Sequence, residues 1–120
     1  MSCRCSSNEY ALFRLTSPTH VFIINLDPTE WKSFIISYSQ HGQIILEKTE
    51  QDQIIIEDHR QDLQNPGWYL LVKLQQTETA LFNSNEKCYI QIRCKYANED
   101  VFASEIVAAS VNDVINQTVM

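Results

Sequence analysis

Strict alternation of apolar and polar side chains over Lys87–Tyr96 constrains this chain more than any other feature. Cys88, Ile90, Ile92 and Cys94 fall on one side, and Tyr89, Gln91, Arg93 and Lys95 on the other. Successive side chains of a strand point to opposite faces, so the pattern demands a strand with one face in a core and one in water. The same period recurs over residues 19–26, where Phe22, Ile24 and Leu26 share a face. It recurs over 33–40, where Phe34, Ile36 and Tyr38 oppose Ser33, Ser37 and Ser39, and over 68–74, with Leu70, Val72 and Leu74 inward. No long helical period competes with it.

The segments between these runs carry turn chemistry. Asp27-Pro28-Thr29-Glu30 supplies an N-cap, a proline at the first helical position and a glutamate at the capping-box position, which predicts one helical turn over 28–32. Gln40-His41-Gly42-Gln43 reads as a tight turn that returns the chain through 44–49 as a hairpin. A short apolar run, Ile54-Ile55-Ile56, precedes a polar surface loop over 58–67 that ends in Asn65-Pro66-Gly67. A second helical turn is expected within 76–82, and a turn at Ala97-Asn98-Glu99-Asp100. The last strand, over 101–111, is expected to bulge at Ser104-Glu105, where its inward phase shifts. One more helical turn is expected over 112–117, carrying Val114 and Ile115. About seven short strands with turns at this spacing predict an all-β fold, a β-sandwich. The helical turns at 28–32 and 76–82 would cross between its two sheets.

At 120 residues the chain fits one domain, and a chain of that size holds a core without metal or disulfide. Residues 14–120 are read as that domain and 1–13 as a flexible N-terminal extension. The longest apolar runs, such as Val21 to Ile24, fall far short of a membrane span. Met1-Ser2-Cys3-Arg4-Cys5 has no apolar signal-peptide core, so the expectation is a soluble protein made in a cytosol. The net charge is −6 and the basic residues are scattered singly, which argues against nucleic acid as a partner. The acidity suits solubility or a basic partner surface.

The routes to catalysis or metal binding are few. Cys88 and Cys94 share one strand face about 20 Å apart, too far for a disulfide and placed as small hydrophobes. The histidines, His20, His41 and His59, show no zinc-binding helical spacing, and Cys3 with Cys5 reads as idle thiols on a tail. Gly42 and Gly67 are the only glycines, too few for a phosphate-cradling loop. Carboxylates such as Glu47, Glu57, Glu99 and Asp100 read as solvated charge on strands and turns. No catalytic set, cofactor, metal or small-molecule substrate is expected. Trp31, Trp68 and Tyr89 fall at outward or edge positions and are the candidate protein-binding residues. For Trp31 and Trp68 the other reading is that they close the two ends of the core.

A further set of motifs follows in order from Arg14. Pro18-Thr19-His20 leads into Phe22; Ile36-Ser37-Tyr38-Ser39-Gln40 is followed by Gly42 and Ile45-Leu46-Glu47-Lys48-Thr49. Then come Val72-Lys73-Leu74, Glu78-Thr79-Ala80-Leu81-Phe82, Ile90-Gln91-Ile92-Arg93, and Ala103-Ser104-Glu105-Ile106 running into Val111. In this order they resemble a family of small accessory or structural proteins of tailed phages and prophages of Firmicutes. The resemblance implies an immunoglobulin-like antiparallel β-sandwich of about seven to eight strands, similar to the N-terminal module of phage baseplate upper proteins. It implies a non-catalytic structural or assembly module of the virion, at baseplate, neck or capsid, made in the bacterial host cytoplasm. Its partners would be other phage structural proteins or further copies of itself. The alternative is a phage-encoded inhibitor that binds a host protein. The chain departs from the family in its cysteine-containing N-terminus, in a longer loop over 58–67, and in Glu99-Asp100 where the family has Asp-Gly.

Overall fold

The computed structural model describes residues 10–120. Among them, nine strands form two sheets: β1 (Leu12–Phe13), β2 (Thr19–Ile24), β3 (Trp31–Gln40), β4 (Gln43–Thr49), β5 (Ile55–Asp58), β6 (Trp68–Lys73), β7 (Lys87–Tyr96), β8 (Val101–Ala103) and β9 (Val107–Asn112). The larger sheet has the order β1-β9-β7-β3-β4, with β8 also paired to β7, and the smaller the order β2-β6-β5. This is an all-β sandwich. The pairs are antiparallel except for one. β1 runs parallel to β9, which makes the larger sheet mixed where an antiparallel one was expected.

The two crossings fall where the sequence puts helical turns. A 3-10 turn, Pro28–Glu30, links β2 to β3, and the Asp27 carboxylate accepts from the Thr29 N–H at 2.9 Å. A single α-helical turn, α1 (Gln76–Thr79), links β6 to β7, with Glu78 accepting from the Gln75 N–H at 2.8 Å. The alternating inward residues of the two sheets meet between them. Phe22, Ile24, Leu70 and Val72 pack on Ile36, Tyr38, Ile90 and Ile92, and all are buried. Cys88 and Cys94 lie among them as free thiols.

Three further expectations need correction. Residues 10–13 are not an extension: Tyr10 and Leu12 are fully buried, Tyr10 stacks on Phe22, and β1 pairs with the far end of the chain. The folded body therefore begins by Tyr10 rather than Arg14, and the rest of the expected extension, Cys3 and Cys5 included, lies outside the described residues. The strand expected over 101–111 is broken into β8 and β9. The break falls at Ser104, as the phase shift implied, because Ser104 turns inward and its hydroxyl accepts from the buried Ile92 N–H at 2.9 Å. The helical turn expected over 112–117 does not form. Its Asp113 is engaged by Arg14 at 2.8 Å, Ile115 finds no surface to pack on, and a turn that short does not nucleate unaided. Of the two readings of Trp31 and Trp68, the one in which they close the core fits: both pack partly buried against it, Trp31 for the reason given below.

Two glycines set tight geometry. His41 (φ 52°) and Gly42 (φ 72°) form the two-residue turn of the β3–β4 hairpin, and a Cβ on Gly42 would meet nothing. Gly67 (φ 149°) is different, since a Cβ there would lie 2.8 Å from the Ile24 carbonyl oxygen and 3.0 Å from the Ile23 side chain. Gly67 also exchanges backbone hydrogen bonds with His59, closing the 58–67 loop against β2. Gly67→Ala should therefore lower stability by about 2 kcal/mol, and Gly42→Ala by about 1 kcal/mol or less. Urea unfolding of the two variants checks the order.

Candidate interaction face

The outward half of each strand in the larger sheet forms a continuous surface. Strand register arranges it in rows. Ile44, Ser39, Tyr89 and Ala108 are cross-strand neighbours on β4, β3, β7 and β9; the next row holds Glu47, Ser37 and Gln91; the next holds Thr49, Ile35, Arg93 and Ala103. Ile44, Tyr89 and Ile106 are 58%, 44% and 62% exposed, values that mark them as apolar side chains in water. Together with Ser37, Ser39, Gln91 and Arg93 they line a shallow depression of about 330 Å³.

A β-bulge explains why Ile44 points out. The β3–β4 register shifts between Tyr38, opposite Leu46, and Ser39, opposite Ile44. Ile45 is the extra residue, so Ile44 is thrown to the outer face while Ile45 and Leu46 lean on the core. Arg93 sits between Ile35 and Ala103 in its row. Most other basic side chains have carboxylate partners, as in Arg14–Asp113, Lys48–Glu78, Arg60–Asp58 and Lys95–Glu99. Among the described residues Arg93 has no ion pair.

The three candidate binding residues are not brought together. Tyr89 stands on this face. Trp31 is at the opposite end of β3, about 25 Å away. A register shift between Trp31 and Ser33 makes Lys32 the extra residue, reverses the phase and turns the indole onto Phe34, with ring centroids 5.6 Å apart. Trp68 begins β6 in the other sheet, half-buried against the core, with the Arg60 guanidinium 4.7 Å over its ring. The sequence reading had the outward phase of Tyr89, Gln91 and Arg93. It missed Ile44 and Ile106, because a bulge and a strand break set their exposure.

The thiols of Cys88 and Cys94 are buried. Burial pushes Cys88 up to about 12, so it stays protonated at neutral pH, and burial also raises Cys94. Glu99 is held down to about 2 by hydrogen bonds from Lys95 and then Lys32, as a solvated turn carboxylate. Glu47 and Glu57 lie on different sheets, and Glu57 bonds His59 at 2.8 Å. Among the described residues no group of three or more His, Cys, Asp and Glu side chains converges to hold a metal ion. No helix among them is long and apolar enough to cross a membrane. No protein-family model matches the chain, and no curated protein matches it.

Proposed function

We propose that the chain is a non-catalytic assembly module that works through protein–protein contacts, with the outer face of the larger sheet as its contact surface. One observation carries this reading: Ile44, Tyr89 and Ile106 stand exposed around an Arg93 that has no partner among the described residues. Exposed apolar area is favourable to cover, and the charge beside it selects a partner surface that carries a carboxylate opposite. The buried, protonated thiol of Cys88 supports a non-catalytic reading. The setting, a tailed-phage particle, comes from the motif resemblance over Pro18–His20, Ile36–Gln40 and Glu78–Phe82. Mass spectrometry of purified intact particles tests it. The expected result is this protein at a fixed ratio to the known structural subunits. Its absence from particles of a strain that expresses it would overturn the particle setting.

A further inference from the structure

We propose that the outer face of the larger sheet pairs with the same face of a second copy about a two-fold axis. The proposal rests on the reading of this chain as an assembly module. A two-fold contact lays a surface on itself, so it forms where one face carries both halves of each complementary pair.

This face carries both halves. Glu47 on β4 and Arg93 on β7 are both outward and exposed, on either side of β3. Among the described residues neither makes an ion pair. Glu47 is opposite Ser37, and Arg93 is opposite Ile35, one step along the same strand. Strands lie about 4.8 Å apart and like-facing residues about 6.8 Å apart, so the two Cα atoms are separated by about 12 Å. A two-fold axis in the contact plane, midway between them, sets each Arg93 over the second copy's Glu47.

The same operation matches the apolar residues. The axis that satisfies the charges runs oblique to the strands. On the same strand lattice it carries Ile44, at the β4 edge, to the neighbourhood of Ala103 on β8. It carries Tyr89 to the neighbourhood of Ala108, which leaves room for the ring. Ser37 lies near the centre, where a short side chain lets two sheets approach closely.

The area is adequate. β3 and β7 are ten residues each, and four strands lie side by side. With β4 at seven residues and β9 at six, the face has a flat footprint of about 550 Å². Side-chain relief raises that toward the roughly 800 Å² per partner of a standard specific interface. An unrelated acidic partner would satisfy Arg93 and leave Glu47 facing it without a mate. A second copy satisfies both.

Sedimentation equilibrium of the full chain tests this, with thermal melts showing that each variant is folded. The wild type is expected to dimerise. Arg93→Glu and Glu47→Arg each place like charges opposite one another and should weaken the dimer about tenfold or more. The double reversal restores opposite charges across the axis and should recover most of the lost affinity. A wild type monomeric at every concentration would overturn the proposal. So would a dimer indifferent to the single reversals, or a double variant no better than either. A monomer found in purified particles sinks the pairing alone, and a dimer missing from them sinks the particle setting alone.

Discussion

Acidifying the protein from pH 7 to pH 4 should remove about 3 kcal/mol of stability through His20 alone. His20 is 1% exposed, and burial lowers it from 6.5 to about 4. Its Nδ1 shares a hydrogen bond with the Tyr38 hydroxyl at 2.7 Å, its ring packs edge-on to Tyr10 and parallel to Tyr38, and its buried Nε2 has no hydrogen-bond partner among the described residues. A neutral imidazole tolerates that site; an imidazolium does not. The folded value lies below the unfolded one, so between about 4 and 6.5 the unfolded chain binds the extra proton. Stability therefore rises with pH through that window, is complete above 6.5, and is lost as pH falls toward 4. About 2 kcal/mol of the loss should appear by pH 5. Asp58 and Glu99, held down to about 2 by Arg60 and by Lys95 with Lys32, act at lower pH and do not obscure it. Urea unfolding at pH 7 and pH 5 measures the effect. The His20→Phe, Tyr38→Phe double variant removes the pair without orphaning the hydroxyl, keeps His41 and His59, and should lose most of the slope. An equal slope in both proteins would refute the assignment.

His20 also marks the limit of what the sequence discloses. Its inward position follows from the alternation that places Phe22 and Ile24 in the core. Its partner does not, because Tyr38 comes from the opposite sheet. The long strands were legible for a local reason: one face of Lys87–Tyr96 or of residues 33–40 must be apolar, whatever packs on it. The break at Ser104 was legible because it shifts that phase. β1 was not, since two residues carry no period and its mate, β9, lies about a hundred positions away. The orientation of Trp31 was left open and the exposure of Ile44 overlooked for a shared reason. Each lies beside a bulge, and one inserted residue reverses the face of everything beyond it. The contact face was therefore half visible, with Tyr89 and Arg93 read from the alternation and the flanking isoleucines hidden in irregularities.

Replacing Lys48 by methionine should cost about 2 kcal/mol, although methionine is the more apolar side chain. Lys48 lies on β4 opposite Ile36, so it points into the sandwich, and it is 7% exposed. Its ammonium donates to both Glu78 oxygens, at 2.9 and 2.7 Å. Glu78 meanwhile caps α1 by accepting from the Gln75 N–H. One ion pair thus ties the crossing between sheets to the edge strand of the larger sheet. Burying both charges costs nearly what their attraction returns, so the pair adds little net stability over an apolar substitute. Removing Lys48 alone leaves the Glu78 carboxylate, about a quarter exposed, only partly solvated, and that is where the loss arises. The Lys48→Met, Glu78→Gln double variant keeps a capping side chain and removes both charges, so it should return to within about 1 kcal/mol of wild type. Urea midpoints of the two singles and the double decide between this and simple additive losses. The single variant should also speed amide exchange in β4 more than in β7, because Lys48 is the anchor of that edge strand. β4 carries Ile44 and Glu47, so an ion pair inside the sandwich holds in register half of the face proposed to meet a second copy.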